Sequence, residues 1–184
     1  MSNSVLVFVL VCLVCLLPLI LFFLFFTNMG ANLIIAYNNF ISQITSQNPQ
    51  LCNLYTLFNQ DKRDSCIRWA AIENKDEKIC DMVSSDYPYF HRDECYKDVG
   101  IEKNDSSICD KILIWGTYKY KCYSLVAEQK KDPSICEMIK AGLGYESAKD
   151  SCLYDVAIAR KDSTICGMIK TMTLVSLCQE KASQ

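Results

Sequence analysis

Residues 1–60 contain no Asp, Glu, Lys, Arg or His. All 19 Lys and Arg and all 21 Asp and Glu residues lie between Asp61 and Gln184, so two unlike parts share one chain. The net charge is only −2, which suggests neither a basic face for nucleic acid nor an acidic tail. There is one histidine, His91. That excludes a His-based triad anywhere except around His91, which has no motif near it. Glycine and proline are scarce, at 6 and 4 residues, and no glycine-rich phosphate loop is present.

What the first part has instead is a long apolar run. Val5–Phe26 reads VLVFVLVCLVCLLPLILFFLFF, without a charge or a side-chain amide. A helix rises about 1.5 Å per residue and a bilayer core is about 30 Å thick, so the run is long enough to span one. In lipid only a helix satisfies the backbone of a single segment, and a kink at Pro18 is tolerated there. A cleaved secretory signal is the competing reading. It fits less well, because Met1-Ser2-Asn3-Ser4 carries no basic residue and the apolar run exceeds the usual ~7–15. The expected organisation is a transmembrane anchor over 1–27, a helical stalk over 28–47 and a water-facing domain over 48–184. Leu33, Tyr37, Phe40 and Ile44 are spaced like a short coiled-coil seam. A continuation of the anchor helix explains them as simply. Anchor and stalk together offer a route to oligomers. Cys12 and Cys15 lie inside the apolar run and read as two lipid-compatible side chains on one helix face.

The water-facing part is rich in regularly placed cysteine: Cys52, Cys66, Cys80, Cys95, Cys109, Cys122, Cys136, Cys152, Cys166 and Cys178. Their surroundings alternate between two types, and such self-similarity marks a repeat architecture. Four residues before the first type stand Asn48, Asp76, Asp105, Asp132 and Asp162, each able to cap a helix N-terminus. An aliphatic residue precedes each of these cysteines, and Tyr55, Val83, Ile112, Ile139 or Ile169 follows three later. That pattern predicts a short, capped amphipathic helix. Around the second type, a base stands three residues before in four copies: Arg63, Arg92, Lys119 and Lys149. Apolar Ile67, Tyr96, Tyr123 and Leu153 follow directly, and small Ala71, Gly100, Ala127, Ala157 and Ser183 come five later. This predicts a second helix whose small residue admits a close neighbour. The fold class predicted is all-α: about five helical hairpins stacked as a short α-solenoid behind a transmembrane helix.

Disulfides in an oxidising compartment, reduced core cysteines and a metal site are the three readings of the ten cysteines. Outside the apolar run no two cysteines have the close spacing of a zinc knuckle, and short helices with thin cores gain from disulfides. Two regular connectivities compete. Pairing within each hairpin uses all ten cysteines, whereas pairing each second cysteine with the next hairpin orphans Cys52 and Cys178. The expected bonds are therefore Cys52–Cys66, Cys80–Cys95, Cys109–Cys122, Cys136–Cys152 and Cys166–Cys178. Disulfides would set the topology: a short N-terminus inside and the repeat domain on the extracytoplasmic side of a cell membrane.

The plan resembles that of disulfide-stapled Sel1-like repeat proteins, a branch of the tetratricopeptide-like helical repeats. The likeness covers residues 48–184 through the paired cysteines and the small residues Ala71 and Ala157, with a shorter period of 27 to 30 residues. It implies a binding scaffold rather than a catalyst. No catalytic, cofactor or metal site is expected. The function expected is a membrane-anchored module that binds a protein or envelope partner. The alternative is an accessory or structural subunit of a membrane or envelope complex. Expected partners are the bilayer, through residues 5–26, and a protein or envelope component, with no nucleic acid. Tyr87, Tyr89, Phe90, Tyr118, Tyr120 and Tyr123 form a local aromatic excess and a possible partner surface. Asn104-Asp105-Ser106 is a glycosylation sequon expected on an exposed turn.

Overall fold

A computed structural model divides the chain into two compact units, Met1–Gln47 and Asn48–Gln184. It describes residues 40–57, 59–84, 90–113, 116–140 and 146–184. The apolar run at 5–26 and the stalk up to residue 39 lie outside the described residues, as do Cys12 and Cys15. Among the described residues no helix is long and apolar enough to cross a membrane. Residues 40–47 are helical, and the buried Thr45 hydroxyl donates back to the Ile41 carbonyl at 2.9 Å.

The second unit is all-helical, with no strand among the described residues. Its helices alternate short and long. The short ones are α1 (Pro49–Leu57), α3 (Glu77–Met82), α5 (Ser106–Cys109), α7 (Pro133–Met138) and α9 (Ser163–Met168). The long ones are α2 (Gln60–Asn74), α4 (Phe90–Lys103), α6 (Thr117–Lys130), α8 (Glu146–Arg160) and α10 (Met172–Ala182). Each long helix packs on the next long helix, which gives the sequential stack of a short solenoid.

The short helices start where the caps predicted. The carboxylates of Asp76, Asp105, Asp132 and Asp162 accept the amides of Lys78, Ser107, Ser134 and Thr164 at 2.9–3.0 Å. The hydroxyls of Ser107, Ser134 and Thr164 donate to the same carboxylates, and these bonds hold Asp105, Asp132 and Asp162 below the usual range. Four of the five short helices are 3-10 rather than α, and α5 is a single α-turn. Six residues lie between the cap aspartate and the buried aliphatic three beyond the cysteine, room for only short helices. Tighter winding eclipses residues i and i+3. It therefore puts Cys80 with Val83, Cys136 with Ile139 and Cys166 with Ile169 on one buried face.

The long helices end in a way the sequence did not announce. Lys75, Asn104, Lys131 and Lys161 adopt left-handed backbone, with φ of 50° to 55°. Their amides reach the carbonyls of Ile72, Ile101, Glu128 and Ile158, while the next amide reaches Ala71, Gly100, Ala127 and Ala157. This is a Schellman motif four times over. In each copy the residue that closes the motif is the cap aspartate of the following short helix. One residue thus ends one helix and starts the next, which fixes the 14-residue step from each second cysteine to the next first cysteine.

All five bonds join the two helices of one hairpin: Cys52–Cys66, Cys80–Cys95, Cys109–Cys122, Cys136–Cys152 and Cys166–Cys178. Every cysteine among them is fully buried except Cys66, which is partly so. Closing a loop of about 15 residues stabilises by about 3 kcal/mol in the chain-entropy model. Around the bonds lie Ile67, Tyr96, Tyr123 and Leu153, with Ala70, Val99, Val126 and Val156 beneath. Gly100 shows why the small position is small. A methyl group there would stand 3.1 Å from the Cys122 sulfur of the next hairpin.

Candidate interaction surface

Two charged positions tie segments of the array together. The bases three residues before the second cysteines bind the ends of the short helices, whose last carbonyls lack helical partners. Arg92 donates through Nη2 to the Val83 carbonyl at 2.8 Å, and Lys119 through Nζ to Ile112 at 3.0 Å. Arg63 reaches into the next hairpin, to the Met82 carbonyl at 2.9 Å, and Lys149 pairs with Glu137 at 2.5 Å.

The second position was not read from the sequence. Asp64, Asp93 and Asp150, two residues before their cysteines, are each only 2% exposed. Each turns toward the segment after the next short helix. Asp150 accepts the Lys170 amide at 3.1 Å, the Thr171 amide at 2.9 Å and the Thr171 hydroxyl at 2.6 Å. Asp93 accepts the Leu113 amide at 3.1 Å, and Asp64 accepts the Ser84 amide at the 3.5 Å limit. Burial alone would raise the Asp150 carboxyl, but the bonds from Thr171 and Lys170 outweigh it and leave the group below its ordinary value. The signal was available as Asp at the same offset in three of the five repeats.

The aromatic excess is only partly a surface. Tyr123 is 1% exposed, a core residue whose hydroxyl donates to Asp110 at 2.5 Å. This corrects its assignment to a partner surface: it follows a second-type cysteine directly, and that position faces inward in α2, α4, α6 and α8. Tyr96 is its counterpart one repeat earlier and donates to Asp81. Burial, then the bonded carboxylate, raises both phenols above their ordinary value. Tyr118 and Tyr120 are half-buried and packed against the core, and Lys97 lies 5.3 Å above the Tyr118 ring. Tyr87, Tyr89 and the side chain of Phe90 lie outside the described residues, as does Trp115.

Three features remain on the outside. The first is a row two residues after each first-type cysteine. Leu54, Met138 and Met168 are 54%, 48% and 44% exposed there, Met82 is half-buried and Lys111 interrupts the series. The second is an ion-pair lattice over the first three repeats. Arg68 of α2 bridges Glu94 at 2.7 Å and Asp98 at 2.8 Å on α4, and Glu77 binds Lys103 at 2.7 Å and Lys111 at 3.4 Å. The bond from Lys103 is the main reason that Glu77 is lowered to about 2. The third is a groove of about 350 Å³ formed by α6, α8 and the C-terminal end of α10, with Glu128, Asp155 and Ile158 among its walls.

The remaining singled-out residues do not converge. His91 is half-exposed, with Nε2 3.8 Å from Asp61. No group of three His, Cys, Asp or Glu residues able to hold a metal occurs among the described residues. Asn104 is not on an open turn. It sits half-buried at the left-handed end of α4, and its Oδ1 is buried. No family model matches the chain, and no curated protein or solved structure matches it significantly.

Proposed function

We propose that the protein is a non-catalytic binding scaffold, held at a membrane by residues 5–26 with its repeats on the extracytoplasmic side. Its partner is a protein or an envelope component. The observation that carries this reading is the exposed apolar row of Leu54, Met138 and Met168 on a disulfide-stapled array. Methionine is flexible and polarisable, and rows of it adapt to varied partners. A rigid frame lowers the ordering entropy lost when such a row is covered. The ten paired cysteines support the compartment, since such bonds persist outside reducing cytosol.

Two measurements on the full chain in intact cells test the proposal. A membrane-impermeant protease should digest the repeats without lysis, and free-thiol labelling in denaturant should leave the ten repeat cysteines unmodified. A photocrosslinker placed at Met138 or Met168 should trap a discrete partner, and one at exposed Lys121 should not. Repeats protected until lysis, or free thiols at these cysteines, would refute the location. Identical crosslinking patterns at Met138 and Lys121 would refute the scaffold reading.

A further inference from the structure

The two ends of the array differ in kind. Each junction from a short helix to a long one is tied to the long helix before it. Asp64 accepts the Ser84 amide, Asp93 the Leu113 amide and Asp150 the Lys170 amide. These junctions therefore share one end of the stack. The turns from a long helix to the next short one share the other end. There Lys75 pairs with Glu102 at 3.0 Å, and Arg160 donates to the Lys131 carbonyl at 3.4 Å. The turns at 74–76, 103–105, 130–132 and 160–162 contain no apolar residue, and nearly all of their residues are charged.

The junction end is the reverse. Met172 and Leu113, 84% and 72% exposed, are the most exposed large hydrophobic side chains among the described residues. Both stand at junctions, Leu113 after α5 and Met172 at the start of α10. They are separate from the row of Leu54, Met138 and Met168, which lies on the short helices. In sequence the junctions also carry Tyr87, Tyr89, Trp115 and Tyr145. Exposed Lys140 and Lys170 stand among them. Apolar side chains at loop tips, with tyrosine, tryptophan and lysine beside them, match the layered chemistry of a lipid interface. Aliphatic groups enter the acyl boundary, aromatic rings settle at headgroup level and ammonium groups meet phosphates.

We infer that the junction end of the array docks on the phospholipid surface of the membrane that holds the chain, with Leu113 and Met172 entering the headgroup region. This rests on the anchoring part of the proposed function and gives the repeats an orientation, with the junctions toward lipid and the charged turns toward water. The apolar run at Val5–Phe26 is what brings a bilayer within reach of these tips.

The test uses the full-length, disulfide-bonded chain reconstituted without other proteins in liposomes of phosphatidylcholine with a minority of phosphatidylglycerol. An environment-sensitive fluorescent amino acid replaces Leu113, Met172, Lys131 or Lys161, one at a time. Lipid carrying a nitroxide near the top of its acyl chain should quench the probe at 113 and 172 at least ~3-fold more than at 131 and 161. With the probe at exposed Thr173, Leu113→Asp combined with Met172→Asp should lower quenching at least ~3-fold, since a carboxylate resists entry into the interface. Both side chains are exposed, so the variant should keep its five disulfides and its helicity. Equal quenching at all four positions, in chains that float with the liposomes, would overturn the inference and leave the anchor standing. Undiminished quenching in the aspartate variant would overturn it as well. Chains that fail to float would remove the anchor and this docking with it. In intact cells a photocrosslinker at Met172 should give a phospholipid adduct, and a discrete protein trapped there instead would overturn the lipid assignment.

Discussion

Replacing Asp150 with alanine should be among the most damaging single changes outside the disulfides. Its carboxylate is 2% exposed and accepts three bonds, from the Lys170 amide, the Thr171 amide and the Thr171 hydroxyl. Hydrogen bonds to a charged group contribute about 1.5–3 kcal/mol each. The sum is not realised in full, because Lys170 and Thr171 are exposed and water can replace the lost acceptor. Removing the carboxylate also removes its own desolvation penalty. A net loss of about 2–3 kcal/mol is expected. Asp150→Asn should lose about half as much, since it keeps one acceptor oxygen but not the charge. The pH dependence has a definite sign. The folded carboxyl titrates below its ordinary value of 3.8, so its contribution is present above that pH and is lost as acid takes the group through its lower folded value. The alanine variant should lack that part of the acid limb. Urea unfolding of the oxidised chain in micelles gives the free energy, and hydrogen exchange gives the location. A loss under about 0.5 kcal/mol, the level of an ordinary surface change, would refute the clamp, as would unaltered exchange at the Lys170 and Thr171 amides.

Other consequences follow from the same structure. Cys52–Cys66 should be the first disulfide to open under graded thiol reductant, since Cys66 alone of the ten cysteines is partly exposed; mass mapping of alkylated peptides would show whether another bond opens before it. Glu77 titrates at about 2 against an ordinary 4.5, mainly through its bond from Lys103. Its stabilisation is therefore complete above about 4.5 and disappears as pH falls toward 2; Glu77→Gln should flatten that part of the stability profile by about 1 kcal/mol after solvent screening, as read from urea midpoints between pH 5 and 2. Lys131→Gly should raise stability by about 0.5 kcal/mol, because an L-residue in left-handed backbone costs about 1–2 kcal/mol and glycine returns part of that as unfolded-state freedom. The same change at exposed Lys121, inside α6, should lower stability by about 1 kcal/mol, and thermal melts of the two variants would test the contrast.

The repeat and its caps could be read from sequence because each is written at a fixed offset from a cysteine, and the disulfide partners because pairing within each hairpin uses all ten cysteines. Asp76, Asp105, Asp132 and Asp162 are legible as caps since a short acid before a helix has one common use. The type of the short helices was not legible, because periodicity over six residues does not separate 3.6 from 3.0 residues per turn. The left-handed lysines were hidden for another reason. Lys75, Lys131 and Lys161 carry no glycine-like signal, and their backbone is imposed by the Schellman closure onto the following aspartate. Tyr123 misled because tyrosine composition does not state direction. Its position after a second-type cysteine did, and Ile67, Tyr96 and Leu153 at the same offset were the guide.

Repetition also separates what the fold requires from what it leaves open. A position that closes the next helix start has little latitude: four of the five helix starts use aspartate, and the first uses asparagine. A position that reaches across to the neighbouring long helix is freer. Two residues after the second-type cysteine stand Arg68, Lys97, Ser124, Tyr154 and Glu180 in turn. Where that residue is Arg68, the interface is filled by its bonds to Glu94 and Asp98. Where it is Ser124, the facing Asp155 and the nearby Glu128 remain without a cation from the array. Both are contacts between long helices of successive hairpins, so the electrostatic difference is not demanded by the fold.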